Sequence, residues 1–325
     1  MNSDSFLSFH KLRSRIQSTD TSFTGIKDPA DDSKFLEAIR LKDLPTVPLK
    51  KEFRCLKRFT HTEEYESELL KPSSKLKPLN RYKNVLPFKK GLVKLDDNPK
   101  LTPANYINAN FVNDLEHSDE LPPPFIATQG PLPKTASSFW RMVLKYKVSL
   151  VVAIVEPNSL GDRCHPYWPQ DFQKSIHFEN LIIEKKEECE STFMNLRSLE
   201  VFDKVSKERC QVTHVHVKTW NDGMALKKAF FEDFLELLKL MYAYFQDYPS
   251  APVVVHCSAG IGRTCTLIAS YFLYLNYLKS IELNTEFEFS VYGLVKHLRT
   301  QRWQAVQTYD QYVFLYEIVR FFGLA

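Results

Sequence analysis

The stretch His256-Cys257-Ser258-Ala259-Gly260-Ile261-Gly262-Arg263-Thr264 puts a thiol, two conformationally permissive residues and a guanidinium within nine positions. An apolar run, Pro252-Val253-Val254-Val255, precedes it and another, Leu267 to Leu273, follows. That pattern predicts a buried strand, a tight turn and a helix. The turn then lies at a helix N-terminus, where free backbone N–H groups and the macrodipole favour an anion. Gly260 and Gly262 let successive N–H groups point inward and form a nest for a phosphate, to which Ser258, Ala259 and Ile261 add their own amides. Arg263 supplies a planar fork for two phosphate oxygens. Cys257, on the floor of this positive cup, is the nucleophile in its thiolate form. The chemistry implied is hydrolysis of a phosphate ester through a phosphoenzyme. A strand-end cysteine followed by a surface arginine is the plainer alternative for a bare Cys-x5-Arg. The paired glycines, the flanking Ser258 and Thr264 and the strand-turn-helix setting decide for the cradle.

Elements able to hold such a turn can be traced along the chain. From Asn80 to Val217 short apolar runs alternate with Pro- and Asn-rich turns, which predicts a twisted mixed sheet. Residues 148–155 form a continuous apolar run of the central-strand type, and 134–147 fits a helix. Leu226, Phe230, Phe234, Leu237, Leu238, Met241 and Phe245 recur at helical spacing within 225–245, and helices also fit 264–279, 287–300 and 308–322. Nearer the start, 34–43 and 60–71 read as short helices separated by the proline-bearing Leu44–Lys51. Residues 1–30 lack sustained periodicity, with a short helix over Phe6–Ile16. The fold class expected is α/β, a central twisted mixed sheet flanked by helices. An N-terminal extension over 1–45 is expected to precede one catalytic domain over 46–325.

Composition sets the limits. With 44% hydrophobic residues and 13% aromatic, the 325-residue chain can bury a large core. No apolar stretch reaches the roughly 18 residues of a membrane span, and the ends carry no signal-peptide or lipid-anchor pattern. A net charge of +4 is compatible with an acidic substrate. Lys89-Lys90 and Lys185-Lys186 read as solvated pairs, and no nucleic-acid module accompanies them. The six cysteines, 55, 164, 189, 210, 257 and 265, have neither metal-pair nor dense disulfide spacing, which suits reducing cytosol. Only nine glycines occur, against roughly 23 at average usage. Gly130, Gly223, Gly260 and Gly262 nevertheless fall in segments singled out for chemistry.

The nonapeptide resembles the signature of the tyrosine-specific protein phosphatases of the cysteine-dependent superfamily. Asn80-Arg81-Tyr82-Lys83-Asn84-Val85 is similar to that family's phosphotyrosine-recognition loop and Tyr106-Ile107-Asn108-Ala109-Asn110 to its next strand. Phe125 to Pro131, Phe139 to Val143, Cys164-His165-Pro166-Tyr167-Trp168-Pro169, and Val306-Gln307-Thr308 with Gln311, Tyr312 and Phe314 follow in family order. The resemblance spans roughly residues 50 to 320, is of the non-receptor type, and is fungal-like in its departures. It implies the family's fold and phosphotyrosine hydrolysis without metal or cofactor, the cradle itself neutralising the phosphate.

Lys218-Thr219-Trp220-Asn221-Asp222-Gly223 resembles the family's mobile acid loop, which implies Asp222 as general acid, Trp220 as hinge anchor and Gly223 as the turn. Asn221 stands in place of the usual proline, so the closed loop is expected to be less populated and turnover lower. Tyr82 is expected to wall a slot too deep for phosphoserine. Asn84 replaces an aspartate common in relatives and is expected to hold the substrate backbone without charge assistance. The resemblance further implies Gln307 as the residue that places water, Gln311 as its helper, Thr264 as hydroxyl donor to the Cys257 sulfur and His256 as a bond to the loop backbone. Arg299 and Arg302 are expected to widen a basic rim, with a solvated surface charge as the alternative for Arg302; Trp303 and Gln304 are expected to narrow the approach.

Expected partners are phosphotyrosine-containing proteins, with no nucleic acid and no membrane, for a monomeric cytoplasmic or nuclear enzyme of signal transduction. Lys11-Leu12-Arg13-Ser14-Arg15-Ile16 weakly resembles a kinase-docking segment, which brings a protein kinase in as a candidate substrate, although a solvated tail is the better reading. The acidic run 114–120 before Leu121-Pro122-Pro123-Pro124 reads as an enlarged solvated loop. A binding module on an inactive scaffold and a dual-specificity or lipid phosphatase are the alternatives. The intact Cys257, Asp222 and Arg263 speak against the first, and Tyr82 with the ordered motifs against the second.

Overall fold

The structure, a computed structural model, describes residues 32–114 and 124–323. The expected helix over Phe6–Ile16, the segment Lys11–Ile16 and all of the acidic loop except Asp114 lie outside them. Among the described residues nine strands form one sheet in the order β2-β3-β4-β10-β5-β9-β8-β7-β6. These are β2 (Leu92–Lys94), β3 (Tyr106–Val112), β4 (Phe125–Thr128), β5 (Leu150–Ile154), β6 (Ser175–Phe178), β7 (Leu181–Glu190), β8 (Met194–Asp203), β9 (Arg209–Val217) and β10 (Val253–His256). The four central strands, β4, β10, β5 and β9, run parallel, and the outer pairs are antiparallel. Val254 of β10 stands opposite both Ile126 of β4 and Val151 of β5. A central parallel strand is covered on both faces, so it must be apolar throughout. Val253 and Val255 pack into the larger core with the C-terminal helices, and Val254 into the core on the other face.

The helices are α1 (Ser33–Leu36), α2 (Leu49–Phe59), α3 (Glu63–Ser67), α4 (Ala136–Lys145), α5 (Phe231–Asp247), α6 (Arg263–Leu283), α7 (Val291–Gln301) and α8 (Tyr309–Phe322). The first half of α6 is buried on every side, which an unbroken apolar run requires. The start of the chain differs from the sequence expectation. Instead of a helix over 34–43, α1 stops at Leu36 and Ile39–Arg40 (β1) pairs with Glu288–Phe289 (β11). A 3-10 turn, Leu41–Thr46, follows. Leu44–Lys51 is not a linker to its end, because α2 begins at Leu49 directly after Pro48. Proline at a helix start forfeits an N–H that has no partner there, so it opens this helix.

Candidate active site

In an open parallel sheet, chemistry gathers beyond the carboxyl ends of the strands. Here β10 leads to Cys257, β4 to Gln129-Gly130, β5 to Glu156, and β9 to Trp220 and Asp222. Four adjacent strands thus deliver the cradle, its support and the acid loop to one edge.

Every backbone carbonyl from Cys257 to Gly262 is engaged by a donor pointing away from the cup. His256 Nδ1 lies 3.1 Å from Cys257 O, Gly130 N donates to Ser258 O at 2.9 Å, and Val306 N donates to Ile261 O at 3.0 Å. Arg302 donates to Gly260 O at 3.0 Å and to Ala259 O at 3.3 Å. Thr266 donates to Gly262 O through both its N–H and its hydroxyl, each at 2.9 Å. With the carbonyls engaged on the outside, the loop amides are left free of carbonyl partners within the turn, and Gly260 N donates to Cys257 Sγ at 3.3 Å. Gly260 is obligatory: its φ is +72°, and a Cβ there would sit 2.1 Å from Thr128 O.

The structure corrects two expectations. Arg299 and Arg302 do not form a basic rim; both are buried. Arg302 holds the cradle from beneath and also reaches Asn110 Oδ1 at 3.1 Å, and Arg299 donates to Ala305 O and Val306 O. Nor does Thr264 donate to the sulfur: its hydroxyl is buried and has no hydrogen-bond partner.

Arg263 is wholly buried below the acid loop. Its Nη1 donates to Glu156 Oε2 at 2.6 Å and to Trp220 O at 2.9 Å, and Nη2 to Asp222 Oδ1 at 2.9 Å. Burial alone would lower its pKa, but Cys257, Asp222 and Glu156 outweigh that and leave it raised. Glu156 also accepts the Asp222 N–H at 2.8 Å, and Arg163 pairs with the other Asp222 oxygen. Burial pushes the Glu156 carboxyl up, yet Arg263 holds it below its ordinary value. Glu156 and Arg163 had no part in the sequence reading. Arg163 adjoins Cys164 of a matched motif, a local signal that could have found it, whereas Glu156 meets Asp222 only through the parallel pairing of β5 and β9.

Trp220 is buried against Phe234 and Phe314, and its Nε1 donates to Met224 O at 3.0 Å, closing the acid loop on its own anchor. Asn221 is exposed and Gly223 has φ +73°. Tyr82 stands over the cradle, its OH 2.8 Å from Ser258 Oγ, which itself donates to Arg163 O. Arg81 fixes that loop through Gly130 O, Pro131 O and Asp162 O. Asn84 is exposed. Gln307 and Gln311 arrive together: a Cβ on Gly262 would lie 3.0 Å from Gln311 Nε2 and 3.3 Å from Gln307 Oε1.

Burial pulls His256 down to about 3, so it is a neutral structural ring. With Nδ1–H on Cys257 O, its Nε2 accepts from Tyr167 OH at 2.6 Å, and Tyr167 in turn lies 3.0 Å from His214 Nε2. Tyr167 is therefore a further residue behind the cradle that the sequence reading left without a role. All six cysteines are free, and burial pushes Cys164 and Cys265 up to about 12. Among the described residues no cluster of ligands could hold a metal ion, and no helix is long and apolar enough to cross a membrane.

A thiol that accepts a loop amide, in a turn whose carbonyls are all engaged elsewhere, with a buried guanidinium paired to a loop-borne carboxyl, defines a Cys-x5-Arg phosphatase centre. The family profile described as Protein-tyrosine phosphatase matches residues 77–320, and the chain belongs to that family. It is 33% identical over 241 residues to human Tyrosine-protein phosphatase non-receptor type 12, covering 74% of this chain and 29% of that protein. It is 32% identical over 245 residues to human Phosphatidylinositol phosphatase PTPRQ, covering 74% of this chain and 10% of that one. The chain thus spans well under half of either relative. Among solved structures it resembles the catalytic domain of human Protein Tyrosine Phosphatase non-receptor Type 18 at a TM-score of 0.73 and 27% identity, covering 87% of this chain and 99% of that one. The same phosphatase is also known bound to HER2 phosphopeptides.

Proposed function

We propose that the chain hydrolyses phosphotyrosine in proteins through a cysteinyl phosphate, within a catalytic unit over residues 46–325. The observation that carries this is the outward engagement of all the cradle carbonyls, which leaves the amides and Arg263 to a phosphate dianion centred above Cys257. The sulfur attacks phosphorus as the bond to the tyrosyl oxygen breaks, and Asp222 gives that oxygen its proton. A phosphate oxygen on Arg263 takes the place of Asp222 Oδ1 and frees the carboxyl for the leaving group. Water placed by Gln307, with Gln311 beside it, then attacks phosphorus, gives its proton to Asp222 and releases Cys257 as thiolate. Tyr82 supplies the wall that stacks on the substrate ring, and Asn84 accepts from the substrate backbone. We further propose a monomer acting on signalling proteins in the reducing cytoplasm or nucleus, where a catalytic thiolate survives. The relative Phosphatidylinositol phosphatase PTPRQ supplies the second reading, a lipid phosphatase, against which Tyr82, standing over the cradle, argues.

The test is steady-state hydrolysis of a phosphotyrosine peptide, a phosphothreonine peptide and a soluble phosphoinositide by wild type, Cys257→Ser and Asp222→Ala from pH 5 to 8. Turnover confined to phosphotyrosine, abolished in Cys257→Ser and about 10²- to 10⁴-fold lower with a flattened basic limb in Asp222→Ala, is expected. Faster phosphoinositide turnover would favour the second reading, and binding without wild-type turnover would make the chain a phosphotyrosine-binding module.

A further inference from the structure

The Thr308 side chain joins the acid loop to the glutamine pair. Its hydroxyl donates to Gly223 O at 2.9 Å and accepts the Gln311 N–H at 3.2 Å. Gln311 Oε1 returns a bond from Thr308 N at 3.3 Å, completing a capping box at the start of α8. Both capacities of one hydroxyl are therefore used, one on the residue after Asp222 and the other on the turn that aims Gln307 and Gln311 at Gly262. The polar bonds to Asp222 itself come from Glu156, Arg163 and Arg263, which belong to the β5 loop and the cradle. Trp220 meets α8 at Phe314, through ring contact alone.

We propose that Thr308 is a positioning residue that couples closure of the acid loop to placement of the hydrolytic water. Closure hands the Gly223 carbonyl to the Thr308 hydroxyl, and the hydroxyl's orientation is then fixed toward the loop while its oxygen holds the helix start. The proton donor of the first step and the water site of the second become one assembly. An open loop withdraws the acceptor and loosens both. The inference rests on the proposed roles of Asp222 and Gln307.

Thr308→Ser keeps both bonds, Thr308→Val removes both, and Thr308→Asp keeps a strong helix cap without a proton to donate. Melting temperature reports the cap. Coupling is read by kcat and KM for a phosphotyrosine peptide, and by the partition of phosphoenzyme between water and added glycerol, a ratio within each variant that is independent of substrate binding. Thr308→Ser should match wild type throughout. Thr308→Val and Thr308→Asp should both lose about five- to tenfold in kcat, the worth of one hydrogen bond, with little change in KM. Both should also pass several-fold more phosphate to glycerol, although Thr308→Asp melts near wild type. A wild-type partition ratio in Thr308→Asp, or a Thr308→Val variant that loses melting temperature alone, would reduce Thr308 to a helix cap and overturn the coupling. Absence of wild-type peptide turnover would instead overturn the phosphatase reading, and the coupling with it.

Discussion

Arg302 shows how much of this site is made by a side chain that never meets the substrate. Its guanidinium is buried and divided among Ala259 O, Gly260 O and Asn110 Oδ1. Burial lowers its pKa, with Cys265, Tyr106 and Cys257 acting in the opposite sense. Removing the fork leaves Ala259 O and Gly260 O without a donor, while Asn110 Oδ1 keeps the Phe88 N–H at 3.3 Å; an unpaired buried polar group costs about 1–3 kcal/mol. Arg302→Met should therefore lower kcat/KM for a phosphotyrosine peptide by about 10²-fold or more and weaken competitive inhibition by inorganic phosphate in parallel. Arg302→Lys should recover part of that, since an ammonium satisfies fewer of the three acceptors than a planar fork. If Arg302→Met stays within about twofold of wild type in both assays, outward-held carbonyls are not what makes the cradle bind.

At the scale of elements, two glycines with nearly the same backbone separate space from conformation. Gly260 and Gly223 have φ of +72° and +73°, but a Cβ on Gly260 would strike Thr128 O, whereas on Gly223 it would meet nothing within 4 Å. Alanine in the left-handed region costs about 1–2 kcal/mol. Gly223→Ala should thus lower peptide kcat by about five- to thirtyfold with the cradle intact, seen as unchanged inhibition by phosphate. Gly260→Ala must push the β4 backbone aside and should lose both turnover and phosphate inhibition. Equal losses in the two variants would sink the distinction. The cradle was legible in the sequence because strand β10, its turn and α6 are contiguous, and their apolar runs flank the glycines directly. Arg302 and Glu156 were not, because their roles depend on partners 42 and 107 residues away along the chain. A charged side chain gives no local sign that the fold will bury it. The start of α2 was misread for a different reason: Pro48 breaks helices from within but opens them from the first turn, and the sequence alone presents both options.

For the whole molecule, the N-terminal helices matter because they are tied to the element that begins at Thr308. The family profile starts at residue 77, yet α2 reaches α8 through one buried carboxyl. Glu52 Oε2 accepts from Tyr312 OH at 2.5 Å and Tyr316 OH at 2.7 Å. Desolvation raises the Glu52 pKa, and the two phenols only partly offset it. The folded chain therefore holds this proton more tightly than the unfolded chain does. As pH rises through the raised value the folded state loses stability at this residue, and below the ordinary carboxylate range the effect vanishes. Glu52→Gln keeps an oxygen for both phenols and removes the titration. Its melting temperature relative to wild type should rise from pH 5 to pH 8, as measured by thermal unfolding with each protein in the same buffers. A difference that is flat with pH would mean that Glu52 titrates normally and that the α2–α8 contact is held by packing of Phe53 on Tyr309 and Tyr312. A difference that falls with pH would mean that the carboxylate is the preferred partner of the two phenols, so that the clamp strengthens as the group ionises.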